Sequence, residues 1–167
     1  ERARQKHVLL LDNGDLIQGT PLTYYYARID SEGPNPMVLA ANALQYDAAV
    51  PGNHEFNYGQ ALLLGAVKES HFPWLSANIL NEQTKMPYFG RPYIIKKFAE
   101  GLKVAVLGLT TPYIPNWEQP QHISGMLFAD PVETAKQWVK FLREKEQADI
   151  VILSYHGGFE RDLDSGE

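Results

Sequence analysis

The sequence predicts an α/β domain built in layers, on three observations. Short apolar runs alternate with segments whose apolar residues recur at helical spacing. Turn-forming clusters rich in Gly, Asn and Asp close those runs. Three of the clusters pair glycine with Asp, Asn or His, the residues that carry chemistry. At 167 residues and 44% hydrophobic, the chain has about the length of one domain and enough apolar content for a core.

In chain order, Glu1 to Lys6 is charged and helix-compatible. His7-Val8-Leu9-Leu10-Leu11 is a continuous apolar run closed by Asp12-Asn13-Gly14, as expected of a strand covered on both faces, and it puts Asp15 just past the strand's carboxyl end. From Pro36 to Gln45, Met37, Val38, Ala41 and Leu44 share a helical face, with Asn35 as cap and Pro36 in the first turn. Ala48-Ala49-Val50 is a short strand ending at Pro51-Gly52. Tyr58 to Ser70 reads as a second helix. Trp74 to Ile79 and Pro92 to Phe98 read as strands, with a polar turn at Asn81 to Lys85 between them. Leu102 to Leu109 is the clearest buried strand. Asp130 to Lys145 opens with Asp-Pro and carries Val132, Ala135, Val139 and Leu142 on one face, which makes it a helix. The strand Asp149 to Leu153 follows, and Ser154-Tyr155-His156-Gly157-Gly158 is the third glycine-flanked cluster. Ligands of open α/β sheets gather beyond the carboxyl ends of strands, where Asp15, Asn53 with His54, and His156 all fall.

Composition excludes several classes. A net charge of −5 argues against a sequence-blind grip on nucleic-acid polymers, which rests on Lys and Arg neutralising phosphates. Without cysteine there is neither a disulfide framework nor a thiolate zinc site. No window approaches the ~20 apolar residues of a spanning helix, and no signal-like segment follows Glu1. The chain reads as an excerpt of something longer.

The residue types at the three strand ends suit one chemistry. A carboxylate can bridge two divalent cations, an amide oxygen completes a shell without adding charge, and imidazole suits zinc, manganese or iron. Two such cations orient a nucleophile and stabilise charge on phosphoryl oxygens. A second, unligated histidine can stabilise the transition state or protonate the leaving alkoxide.

Gly14-Asp15, Gly52-Asn53-His54-Glu55 and His156-Gly157-Gly158 resemble the second, third and fourth motifs of the calcineurin-like metallophosphoesterases, in their 5′-nucleotidase branch. The longer strings Asp12 to Gly19 and Gly52 to Gly59 resemble the 2′,3′-cyclic-nucleotide 2′-phosphodiesterase/3′-nucleotidase subgroup, and the likeness runs from about Val8 to Asp162. The resemblance implies a four-layer α/β/β/α sandwich, of which residues 1–167 would be the central portion. It implies hydrolysis of nucleotide phosphoesters with two divalent ions, drawn from manganese, zinc, iron, cobalt and magnesium. Asp15 would bridge both ions, Asn53 and His156 would ligate the second, and His54 would contact the scissile phosphate as the catalytic histidine. Glu55 and Asn57 would support them from behind. Export to periplasm, cell wall or medium is implied by the resemblance alone.

The family's first motif, Asp-x-His, and its last, Gly-His-x-His, would lie before Glu1 and after Glu167, as would its C-terminal nucleotide-binding domain after Glu167. The flanking segments of its own chain are therefore expected partners, and the 167-residue piece alone is expected to be inactive. Asn57 stands where many 5′-nucleotidases carry Asp, which favours the cyclic-phosphodiesterase subgroup. The alternatives are a 5′-nucleotidase or nucleotide-sugar hydrolase, and a catalytically incomplete binding piece. Asp12 reads equally as a support of the site or as a strand-end cap, whereas Gln18, Thr20 and Asn78 read more simply as structural, as do His7, His71 and His122. Tyr24-Tyr25-Tyr26 is expected to pack against a neighbouring layer rather than stack a base, and Glu160, Arg161 and Asp162 to form a solvated loop.

Overall fold

A computed structural model describes residues 5–158. Most of the charged N-terminal stretch, and Glu160, Arg161 and Asp162, lie outside the described residues. The element order is β1 (Leu11–Asp12), α1 (Pro21–Arg28), α2 (Pro36–Ala43), β2 (Ala48–Ala49), α3 (Gln60–Glu69), β3 (Ile79–Asn81), β4 (Tyr93–Lys97), β5 (Lys103–Thr110), α4 (Ile114–Trp117), β6 (Met126–Phe128), α5 (Pro131–Glu144) and β7 (Ile150–His156). A single 3₁₀ turn, His54–Phe56, follows β2.

The layers can be read from which alternate residues meet. In β5, Ala105, Leu107 and Leu109 cluster with Leu142, Ala135 and Trp138 of α5, while Val106 clusters with Ala48, Val50 and Leu75 on the opposite face. In β2, Ala48 faces β5, whereas Ala49 joins Val38 and Ala41 of α2 and Leu63 and Ala66 of α3. Period-two alternation thus gives α5, the sheet β4-β5-β7, the pair β1-β2, then α2 with α3, the predicted α/β/β/α order. β5 pairs antiparallel with β4 and parallel with β7, the latter through α5 as crossover. β3 and β6 form a small antiparallel pair, with Ile79, Met126 and Phe128 packed beside Phe56.

Several expectations change length or identity. The strand expected over His7–Leu11 ladders only at Leu11–Asp12, because the Leu10 N–H donates to the Asp47 carboxylate at 2.8 Å. Trp74–Ile79 makes only isolated bridges before β3 begins. There the Asn78 amide takes over, donating to the carbonyls of Thr110 and Ala129 and accepting the Thr110 N–H. β7 runs on to His156, past the expected end at Leu153, because its parallel ladder continues to Thr110↔His156. α1 is a helix that lacks an apolar stripe; Thr20 and Thr23 close a capping box and Pro21 opens it. On it Tyr24 and Tyr25 are about half exposed, 55% and 49%, rather than packed under a layer.

Candidate metal centre

The site is assembled where β1, β2 and β7 end. Gly14 has φ 101° and Asp15 follows at φ 66°, so two consecutive left-handed residues fold the chain back over Gly52. A side chain at Gly14 would collide with the His156 ring and the Gly52 backbone, and one at Gly52 with the Asp15 carboxylate and the His156 ring. Only glycine lets these two turns touch.

Glu55 fastens them. Its carboxylate is fully buried; Oε2 accepts the N–H groups of Asp15 (2.7 Å) and Gly52 (2.6 Å), and Oε1 accepts that of Ile17 (3.2 Å). Burial pushes this carboxyl up to about 7, against the pull of the three N–H donors, and Asp15 adds a smaller upward push. Burial likewise raises Asp12, whose Oδ1 accepts the Gly14 N–H.

Asp15, Asn53 and His156 then converge. His156 Nδ1 lies 2.7 Å from the Asn13 carbonyl oxygen, which can only accept, so Nδ1 carries the ring proton. Nε2 faces Asn53 Oδ1 at 3.0 Å and Asp15 Oδ2 at 3.5 Å. With the ring neutral, all three groups turn lone pairs toward one another, an arrangement that a divalent cation satisfies. Among the described residues His, Asp and Glu alone supply no set of three; the Asn53 amide makes the third donor. These residues fit a metal.

His54 is adjacent but turned differently. Its N–H donates to Asp15 Oδ1 at 3.0 Å, and its Nδ1 lies 2.6 Å from Asn57 Oδ1. The same Asp15 carboxylate therefore faces His156 with one oxygen and fixes the His54 backbone with the other. Asn57 in turn donates to Glu118, whose other oxygen meets His122 Nδ1 at 3.0 Å. Asn13, Asn53, Thr111, Trp117, Tyr155 and His156 line a cleft of about 370 Å³ over this centre.

All six residues singled out, Asp15, Asn53, His54, Glu55, Asn57 and His156, belong to this one network. Sequence reasoning missed Asn13, whose side chain accepts the Ser154 hydroxyl and donates to the Tyr155 carbonyl, splinting β1 to β7 and steadying His156. It sits inside Asp12-Asn13-Gly14-Asp15, but a turn Asn gives no separate signal. Glu118 and His122 had no local pattern at all. Asn78 is a structural clasp, His7 packs against Phe98 and Thr20 caps α1, structural roles of the general kind expected, although no helix was expected there.

The sequence profile of the calcineurin-like phosphoesterases matches residues 1–166. A 2′,3′-cyclic-nucleotide 2′-phosphodiesterase/3′-nucleotidase of Salmonella typhimurium is 37% identical over 96% of this chain and 26% of its own length. A 5′-nucleotidase of Vibrio cholerae is 36% identical over 90% of this chain and 26% of its own. Among solved structures, a Staphylococcus aureus protein provisionally assigned as a 5′-nucleotidase superposes with TM-score 0.84 at 36% identity, covering 99% of this chain and 31% of that one. The calcineurin-like phosphoesterase YfkN of Bacillus subtilis gives 0.82 at 34%, covering 99% and 53%. The chain belongs to the calcineurin-like phosphoesterase family, whose members use divalent metal ions. It spans about a quarter of the length of the curated relatives named here.

Proposed function

We propose that this chain carries the centre of the active site of a metal-dependent nucleotide phosphoesterase, of the 2′,3′-cyclic-nucleotide 2′-phosphodiesterase and 3′-nucleotidase kind. The observation that carries the reading is the convergence of Asp15 Oδ2, Asn53 Oδ1 and His156 Nε2 beside a histidine held by a different partner. Asp15, Asn53 and His156 would hold two divalent cations together with donors from flanking segments. When bound, such ions supply Lewis acidity to the phosphoryl oxygens and lower the pKa of water.

The residues of the chain do the rest. Asn13 keeps the His156 proton on Nδ1 and so keeps Nε2 a ligand. Glu55 holds the two turns at the spacing that brings Asp15 to His156. His54 Nδ1 is committed to Asn57, which frees Nε2 to exchange a proton or hydrogen bond with the substrate's leaving oxygen. Three ligand side chains fill only part of two coordination shells, so the 167-residue piece alone should turn over little substrate. The same reading takes the parent protein to be exported, which the lack of cysteine permits.

The test uses the full-length, manganese-loaded protein with 2′,3′-cyclic AMP, 3′-AMP and 5′-AMP as substrates. The reading expects the first two to be preferred. A strong preference for 5′-AMP would support the second reading, a 5′-nucleotidase, which the similarity to the Vibrio cholerae enzyme favours.

A further inference from the structure

We propose that Glu118, on the loop after α4, is a positioning residue for His54, acting through the Asn57 amide, with His122 anchoring it from behind. The inference rests on the reading of His54 as the catalytic histidine. It goes further, because Glu118 lies 61 positions from Asn57 in sequence and in no motif.

The chain of contacts is continuous. His54 Nδ1 meets Asn57 Oδ1 at 2.6 Å, Asn57 Nδ2 donates to Glu118 Oε1, and Glu118 Oε2 meets His122 Nδ1 at 3.0 Å. The Glu118 side chain is 5% exposed and that of His122 19%, so water competes little for these contacts. Glu118 closes α4 with its own N–H on the Ile114 carbonyl, and it sits four residues before His122 in the next turn.

Direction follows from donor and acceptor chemistry. The two ends of an amide are nearly the same size, so Asn57 alone could face His54 with either its oxygen or its NH₂. The NH₂ would force Nδ1 to be an acceptor and move the ring proton to Nε2. An ionised Glu118 only accepts, so it holds the NH₂ and turns the Asn57 oxygen to His54. The proton on Nδ1 is thereby held in place, so that any proton the ring gives or takes moves through Nε2. Where a carboxylate at position 57 would touch His54 directly, here the negative charge stands one amide further back. The side-chain contacts that run from His54 to His122 do not include Asp15, Asn53 or His156; the link to Asp15 is through the His54 backbone N–H.

The experiment measures steady-state kinetics and bound metal in the full-length, manganese-loaded protein, with bis(p-nitrophenyl) phosphate as probe. Glu118→Ala is expected to lower kcat by about tenfold to a hundredfold with KM little changed and metal content intact, as a misdirected catalytic group does. Asn57→Asp alone sets two carboxylates against each other and should also be slow. Combining it with Glu118→Gln moves the charge next to His54 and the amide behind it, and should recover activity relative to Asn57→Asp. A residue that merely braces the loop would not produce that rescue. ¹⁵N shifts of the His54 ring should show the Nδ1-protonated form in the parent and a mixture in Glu118→Ala. Full kcat in Glu118→Ala, or no rescue in the double variant, overturns the proposal while His54→Ala remains slow. Full kcat in His54→Ala overturns the underlying reading as well.

Discussion

Replacing Glu55 by Ala should destabilise the protein by roughly 3 kcal/mol, and the structure says why. The carboxylate accepts three backbone N–H groups, from Asp15, Ile17 and Gly52, and it is fully buried. Each buried N–H left without a partner costs about 1–3 kcal/mol, so three give about 3–9 kcal/mol. Against this, removal relieves the burial of a carboxylate raised from 4.5 to about 7, worth roughly 3 kcal/mol when ionised. Water entering the vacated space trims the upper end, leaving a net of roughly 3 kcal/mol. Glu55→Gln keeps the volume and avoids ionisation, yet sets its NH₂ against one N–H, so it should lose only about 1 kcal/mol. Urea unfolding followed by circular dichroism above pH 7 measures both. For slopes of about 1–3 kcal/mol/M, the Ala midpoint should fall by about 1 M or more. A Glu55→Ala variant within about 0.5 kcal/mol of the parent, inside the spread of ordinary surface substitutions, would refute the reasoning.

The same carboxyl predicts a pH dependence. In metal-stripped protein the folded chain keeps its proton between 4.5 and about 7 while the unfolded chain has lost it, so its contribution to stability is full below 4.5 and falls as pH rises through 7. Glu55→Gln should flatten that part of the profile in urea titrations at stepped pH. Asn13→Ala cuts the splint that steadies His156 and should weaken manganese binding by about tenfold to a hundredfold, measured by calorimetry on the full-length protein. Gly52→Ala drives a methyl into the Asp15 carboxylate and the His156 ring; it should cost about 1–3 kcal/mol in urea unfolding and lower metal content in elemental analysis.

The three strand ends that converge were legible because each follows an apolar run in the sequence, and the run decides where the chain must turn, even though Ile150 and Leu153 of β7 are themselves exposed. β5 ladders over Lys103–Thr110, almost where its apolar residues lie. The far end of β7 was not legible, because Ser154 to His156 joins the sheet through main-chain bonds to Gly108–Thr110, which side-chain hydropathy does not report. α1 carried its cap and its proline in plain sight at Thr20 and Pro21, but Tyr24 and Tyr25 gave no apolar stripe. The Asp15, Asn53 and His156 set could be assembled from spacing and resemblance. Glu118 could not, since only the folded loop brings it to Asn57. Asn13 shows the intermediate case, a residue inside a recognisable string whose side chain bonds only become apparent once β7 is beside it.

Of the two histidines at the site, His156 is proposed to hold metal and His54 is not. Elemental analysis and turnover of the full-length, manganese-loaded protein, compared between His54→Ala and His156→Ala, test it most directly. His54→Ala should keep most of its metal and lose about a hundredfold or more in kcat, whereas His156→Ala should lose metal. Loss of metal in His54→Ala, or full metal with full turnover in His156→Ala, would contradict it.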